Sequence, residues 1–307
     1  MPDIFNPEVI SRIKGLELRS KRLVESYMVG IHKSRLLGIS TEFAQHRQYV
    51  FGDDTRHIDW KVYAKTDEFF IKEYEAETNM AVYFLIDVSP SMFFKSEEAH
   101  LSKYEYAATI AATLSYMLML QKDLFSLTLF DDKIQSFLKP KGSGLHFRNI
   151  TDVLSKTEQE REPSEDKGTT DIGNAIQKLA PQIKKKGVVV IISDFIDDIE
   201  KLGFSLGQVS SLGQDGILLH IEDPIERDFP FTGQTILRGL EQEGKLLCDP
   251  RDLRNIYLRE RAKHHQQIME FCMKFAYSVI NFSTNTQMDT ILTDFLYARM
   301  SQRRRRR

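Results

Sequence analysis

The segment Asp87-Val88-Ser89-Pro90-Ser91-Met92 closes a continuous apolar run, MAVYFLID at 80–87. Such a run reads as a strand covered on both faces. Asp87 therefore sits at a strand's carboxyl end, where open α/β sheets bind ligands. Alternate spacing points Asp87, Ser89 and Ser91 toward one pocket as the chain leaves the sheet. Carboxylate and hydroxyl oxygens are hard donors, which suit Mg2+ or Mn2+ better than zinc. Two further segments add to the set. Gly168-Thr169-Thr170-Asp171 precedes a helical pattern and offers the Thr170 hydroxyl, with Thr169 as the alternative. VVVIISDF at 188–195 ends in Asp194, a second carboxylate at a strand's carboxyl end. Helix capping could account for any one of these residues, but five positions in this order favour a metal.

The elements that must position these residues alternate. After the strand at 80–87 come an alanine-rich helix at 103–123 and a strand at 124–130 with a hairpin partner at 133–139. Helices follow at 144–156 and at 171–186, where Pro181 weakens the middle. The run 188–195 is a second buried strand, followed by a helix at 197–211 and a third buried strand at 216–223. This alternation predicts an α/β fold, a doubly wound, mainly parallel sheet with helices on both faces. Beyond Pro224 the pattern predicts a hairpin at 235–249, a charged helix at 250–276, a strand at 278–284 and a helix at 286–300. Residues 7–29 carry helical spacing, and 30–79 read as irregular loop leading to an antiparallel or edge strand. The expected organisation is an N-terminal helix and extended segment at 1–79, a domain at 80–302 and a basic tail at 303–307.

Composition narrows the function classes. The 307 residues hold 42 Lys and Arg against 44 Asp and Glu, a balance that gives no sign of nucleic-acid binding. With two cysteines, Cys248 and Cys272, the chain is no disulfide scaffold, and both are expected reduced and buried. No secretory h-region and no uninterrupted apolar stretch of membrane-spanning length is visible, so a cytoplasmic protein is expected.

The order Asp-x-Ser-x-Ser, threonine, aspartate resembles the metal-ion-dependent adhesion site of von Willebrand factor A domains, which have a Rossmann-type fold. The resemblance implies that Ser89, Ser91 and Thr170 contact the cation directly, while Asp87 and Asp194 act mainly through bound waters. One coordination position would stay open for a partner's glutamate or aspartate. Gly52-Asp53-Asp54-Thr55-Arg56-His57-Ile58-Asp59-Trp60, with Gly38, Glu42-Phe43, Arg47, Tyr49 and the Glu77 region, further resembles one bacterial family. That family comprises von Willebrand factor A-like proteins of unknown function, often encoded beside MoxR-type AAA ATPases. The similarity spans roughly residues 30–225; Lys65 stands where arginine is expected. It implies a MoxR-type ATPase as partner and an adaptor or co-chaperone role. Many relatives carry transmembrane helices ahead of this region; none is visible here, and membrane association is not expected.

Other residues have simpler readings. His57 with Asp53, Asp54 or Asp59 could suggest a base, but a network pinning the loop around Trp60 explains them without chemistry. His264 and His265 point about 100° apart on a helix and read as a solvated face. YMLML at 116–120 reads as core packing, and the terminal arginines as a disordered, solubilising tail. Two other functions fit an aspartate-bearing cation site. A Mg2+-dependent phosphatase or nuclease is weakened by Ser89, where the haloacid-dehalogenase pattern needs a second carboxylate. A scaffold with a vestigial site is the other. No phosphate loop, nucleophile elbow or metalloprotease helix is present, so no enzymatic activity is expected.

Overall fold

A computed structural model describes residues 3–33, 46–49, 60–72, 80–160, 172–196, 198–231, 235–238, 245–248 and 250–305. The contact pattern divides the chain into two units, one of Met1–Tyr27 with Met80–Arg307 and one of Met28–Asn79.

The chain opens with helices α1 (Pro7–Arg12) and α2 (Leu16–Lys33). The helical pattern at 7–29 is thus interrupted, at Gly15, whose φ of +82° no helix accommodates. The smaller unit holds strands β1 (His46–Gln48) and β2 (Phe70–Lys72), paired antiparallel, with helix α3 (Trp60–Thr66) between them. Trp60 begins α3 and is 60% exposed. It meets Tyr63 and Phe69 edge-on, while Tyr63 and Phe69 stack at 4.4 Å. Residues 50–59, which carry most of the GDDTRHIDW motif, lie outside the described residues.

The larger unit is built around β3 (Ala81–Asp87), α4 (Lys103–Leu120), β4 (Leu124–Phe130), β5 (Ile134–Lys141), α5 (Gly144–Glu160), α6 (Ile172–Leu179) and β6 (Gly187–Ser193). It continues with α7 (Ile199–Ser211), β7 (Asp215–Glu222), α8 (Pro224–Asp228), the hairpin of β8 (Thr235–Arg238) and β9 (Lys245–Cys248), α9 (Pro250–Lys274), β10 (Ser278–Ser283) and α10 (Met288–Arg305). The main sheet runs β10-β7-β6-β3-β4-β5, parallel except for β5. This is the doubly wound α/β fold that the strand pattern predicts. Every residue of β3 and β6 is buried, as the central strands of a sheet covered on both faces must be. Gly187 starts β6 because a Cβ there would lie 1.9 Å from the Ala81 carbonyl oxygen. Helix α4 is buried nearly all round, which its run of alanines and the absence of a polar face require.

Four features depart from the sequence pattern. Pro181 ends α6 in a 3-10 turn at Ala180–Gln182 rather than weakening a longer helix. Helix α8, too short for periodicity to detect, is set by an Asp223–Glu226 capping box with Pro224 at its first position. The expected basic tail begins as helix: α10 runs to Arg305, since arginine is a good helix former and no breaker intervenes. In YMLML, Met117 and Leu118 are buried, whereas Leu120 is 57% exposed. Cys272 is buried and free; the side chain of Cys248 lies outside the described residues.

Candidate functional site

The order of strands places β3 between β4 and β6, and the chain winds away from β3 in both directions. The crevice at such a reversal, beyond the strands' carboxyl ends, is where doubly wound sheets take ligands. Asp87 ends β3, and Asp194 follows directly on β6. Ile86 is paired with Ile192, so the next residues, Asp87 and Ser193, meet side by side. The Ser193 hydroxyl donates to Asp87 Oδ2 at 2.7 Å and accepts the Phe195 N–H at 2.8 Å.

Beyond Asp87 the chain stays tied to the sheet edge. The Ser89 N–H donates to Asp87 Oδ1 at 2.8 Å. Pro90 starts a 3-10 turn, Pro90–Phe93, which carries Ser91 back beside Ser89. The two hydroxyls share a hydrogen bond of 3.1 Å. On the other strand, Phe195 has φ +52°, a left-handed conformation rare for an aromatic residue. Next to it, the Ile196 N–H returns to Asp194 Oδ1 at 3.3 Å, and the Ile196 side chain is 61% exposed. Asp87, Ser89, Ser91 and Asp194 are all buried. The structure thus brings together four of the five residues expected to form the site. The fifth, Thr170, lies outside the described residues, as does its alternative, Thr169.

Lys103, the first residue of α4, was not foreseen. Its fully buried ammonium donates to Asp194 Oδ2 at 2.9 Å and to Glu226 Oε1 at 2.6 Å. Glu226 Oε2 accepts the Asp223 N–H at 2.9 Å, and Asp223 in turn accepts the N–H groups of Ile225 and Ser96. The Glu226 carbonyl accepts from Tyr257 on α9. The only hint in the sequence was a lysine in the first turn of a helix, where the macrodipole disfavours a cation.

The charges divide unevenly. Burial, then repulsion from Asp194, pushes the Asp87 carboxyl up to about 7, although the Ser89 and Ser193 hydrogen bonds oppose the rise. Burial would raise Asp194 as well, but the Lys103 ammonium outweighs it, helped by Ser91 and the Ile196 N–H, and holds Asp194 below the usual range. Burial would lower Lys103, yet Asp194 and Glu226 together raise it. Burial lifts Glu226 against the pull of Lys103. Two of these carboxylates, Asp194 and Glu226, share one ammonium, and among the described residues no cation pairs with Asp87. Two carboxylates flanking paired hydroxyls could hold a small hard divalent cation, whose charge would relieve the Asp87–Asp194 repulsion. Among the described residues no group of three or more His, Cys, Asp or Glu is arranged to hold a metal. A cation at this edge would draw its remaining ligands from hydroxyls and water.

His265 is not merely solvated. Its ring meets the buried His220 edge-on at 5.2 Å, and His220 in turn meets Phe195. His220 shares a hydrogen bond with Asn281 at 3.1 Å. Burial holds the His220 imidazole below its ordinary range.

These features define a doubly wound α/β protein with a buried oxygen-donor cluster at its sheet reversal. The chain belongs to the family described as protein of unknown function DUF58, which it matches over residues 45–267. It is 23% identical over 268 residues to an uncharacterized protein of Mycobacterium tuberculosis, covering 87% of this chain and 82% of that one. The same figures hold for a protein of Mycobacterium bovis. Among solved structures it is similar to the conserved hypothetical protein BatB from Bacteroides thetaiotaomicron, with 14% identity and a TM-score of 0.49. That match covers 73% of this chain and 99% of BatB. An aerotolerance-related membrane protein from Bacteroides fragilis matches at 19% identity and TM-score 0.46, over 70% of this chain and 97% of that one. The SpRpn10 VWA domain matches at 13% and 0.40, over 70% and 93%. Among the described residues no helix is long and apolar enough to cross a membrane.

Proposed function

We propose that this chain is a divalent-cation-dependent protein-interaction module. In this reading Mg2+ or Mn2+ is held by Ser89, Ser91 and Thr170, with Asp87 and Asp194 supporting it through water and hydrogen bonds. A partner's aspartate or glutamate completes the octahedral shell. The observation that carries the reading is the buried Asp87 carboxyl beside Asp194 and the paired Ser89 and Ser91 hydroxyls, at the sheet reversal. The exposed Ile196 beside Asp194 offers apolar surface to a partner held there. Such surface, rather than the ion alone, supplies most of an interface's affinity. The resemblance of residues 30–225 supports a MoxR-type AAA ATPase as the partner, with this chain as its adaptor or co-chaperone.

Affinity capture from native lysate tests the proposal. It is run with wild type in Mg2+, wild type in EDTA, and Asp87→Ala in Mg2+. The expected result is an AAA ATPase retained by wild type in Mg2+ and reduced at least about tenfold in the other two, the cost of one lost charged contact. Equal recovery of one partner under all three conditions would move the interface off the cation site.

A further inference from the structure

Lys103 is poorly placed for any ordinary role. It occupies the first position of α4, against the helix dipole, and its ammonium is wholly buried. A buried charge persists only where partners compensate it. Both of its partners given above, Asp194 and Glu226, are carboxylates on separate elements. Each Asp194 oxygen already accepts a hydrogen bond, Oδ1 from the Ile196 N–H and Oδ2 from Lys103. Among the described residues Asp87 accepts from neutral groups, the N–H and hydroxyl of Ser89 and the Ser193 hydroxyl. The two aspartates that flank the hydroxyl pair are therefore not equivalent: among the described residues, a resident cation pairs with Asp194 and none with Asp87.

We propose that Lys103 is a built-in counter-ion that weakens the site's grip on its divalent cation. This inference rests on the cation reading above. The ammonium neutralises Asp194 and leaves Asp87 as the principal anionic attraction for the metal. Glu226 moderates the effect by drawing the ammonium away from Asp194. A site balanced in this way releases its ion readily, and stable occupancy depends on the carboxylate that a partner brings.

Two variants should shift the affinity for Mn2+ in opposite directions. In Glu226→Gln, Lys103 keeps Asp194 as its one charged partner of the two, and affinity for Mn2+ should fall about threefold to tenfold. In Lys103→Met/Glu226→Gln, one positive and one negative charge are removed together. The positive charge lost is the one beside Asp194, so affinity should rise at least about tenfold. Calorimetric titration with Mn2+ measures both changes, and circular dichroism confirms that each variant is folded. A lysine with a merely structural role would weaken binding in both variants or change neither. A folded double variant that binds Mn2+ no better than wild type overturns the inference, and the Glu226→Gln arm still tests it if the double variant does not fold. The reading of the site is tested separately, by Ser89→Ala/Ser91→Ala. If wild-type binding is indifferent to that change, the site assignment is wrong whatever Lys103 does. Absence of Mn2+ binding in wild type and in every variant overturns both.

Discussion

Lys103→Met is expected to lower the free energy of unfolding in EDTA by about 3–5 kcal/mol, the usual cost of removing one partner from a buried ion pair. Asp194 would then be a buried carboxylate stripped of the Lys103 ammonium, and Glu226 would lose the same partner. The lost apolar stem does not explain such a change, because methionine replaces most of it. For a domain of this size the melting temperature should drop by roughly 10 °C. Two accompanying results separate electrostatics from packing. Adding Glu226→Gln should recover part of the loss, since one of the two stranded charges is gone. Saturating Mg2+ should also recover part, because a divalent cation beside Asp194 replaces the missing charge and stabilises the folded form that binds it. Denaturant unfolding with and without Mg2+ makes the comparison. A loss below about 1 kcal/mol, as for an exposed ion pair, would mean that Lys103 is not buried between these carboxylates.

The second large effect concerns pH. The Asp87 carboxyl is raised by burial and by Asp194 from its ordinary 3.8 to about 7 in the folded chain. Between these values the folded state holds a proton that the unfolded state has released, so stability falls as pH rises. The contribution is fully present below about pH 4 and is lost as pH passes through about 7. Asp194 acts in the opposite sense but at lower pH, because its carboxyl is held below the usual range. In EDTA the wild type should therefore melt several degrees lower at pH 8 than at pH 5.5. Asp87→Asn, which resembles the protonated acid, should flatten that difference. Mg2+ should raise the melting temperature of wild type at pH 8 and leave that of Asp87→Asn nearly unchanged. Equal pH dependence in the two proteins would show that Asp87 is not the group that titrates.

How much of this was legible in the sequence follows from the reach of each signal. Runs such as MAVYFLID and VVVIISDF are continuous because both faces of their strands are covered, and each carries an aspartate at or just past its strand's carboxyl end. Asp87, Ser89, Ser91 and Asp194 could therefore be read from local pattern alone. The contact between Asp87 and Ser193 could not, because it depends on β3 and β6 being neighbours, a long-range property that no local period encodes. Lys103 escaped for a related reason. Its capping residues Ser102 and Glu105 mark where α4 begins, but its partners lie 91 and 123 residues further along the chain. Helix α8, which supplies Glu226, spans only five residues and reveals itself through its cap rather than through periodicity.

The most direct test of the cation site is a calorimetric titration of EDTA-treated, dialysed protein with Mn2+, for wild type and for Ser89→Ala/Ser91→Ala. A site built on Ser89 and Ser91 should bind one ion per chain in wild type and lose at least about tenfold in affinity in a folded double variant, since two of its hydroxyl ligands are gone. Binding that is absent from wild type, or that survives the loss of both hydroxyls unchanged, would contradict it.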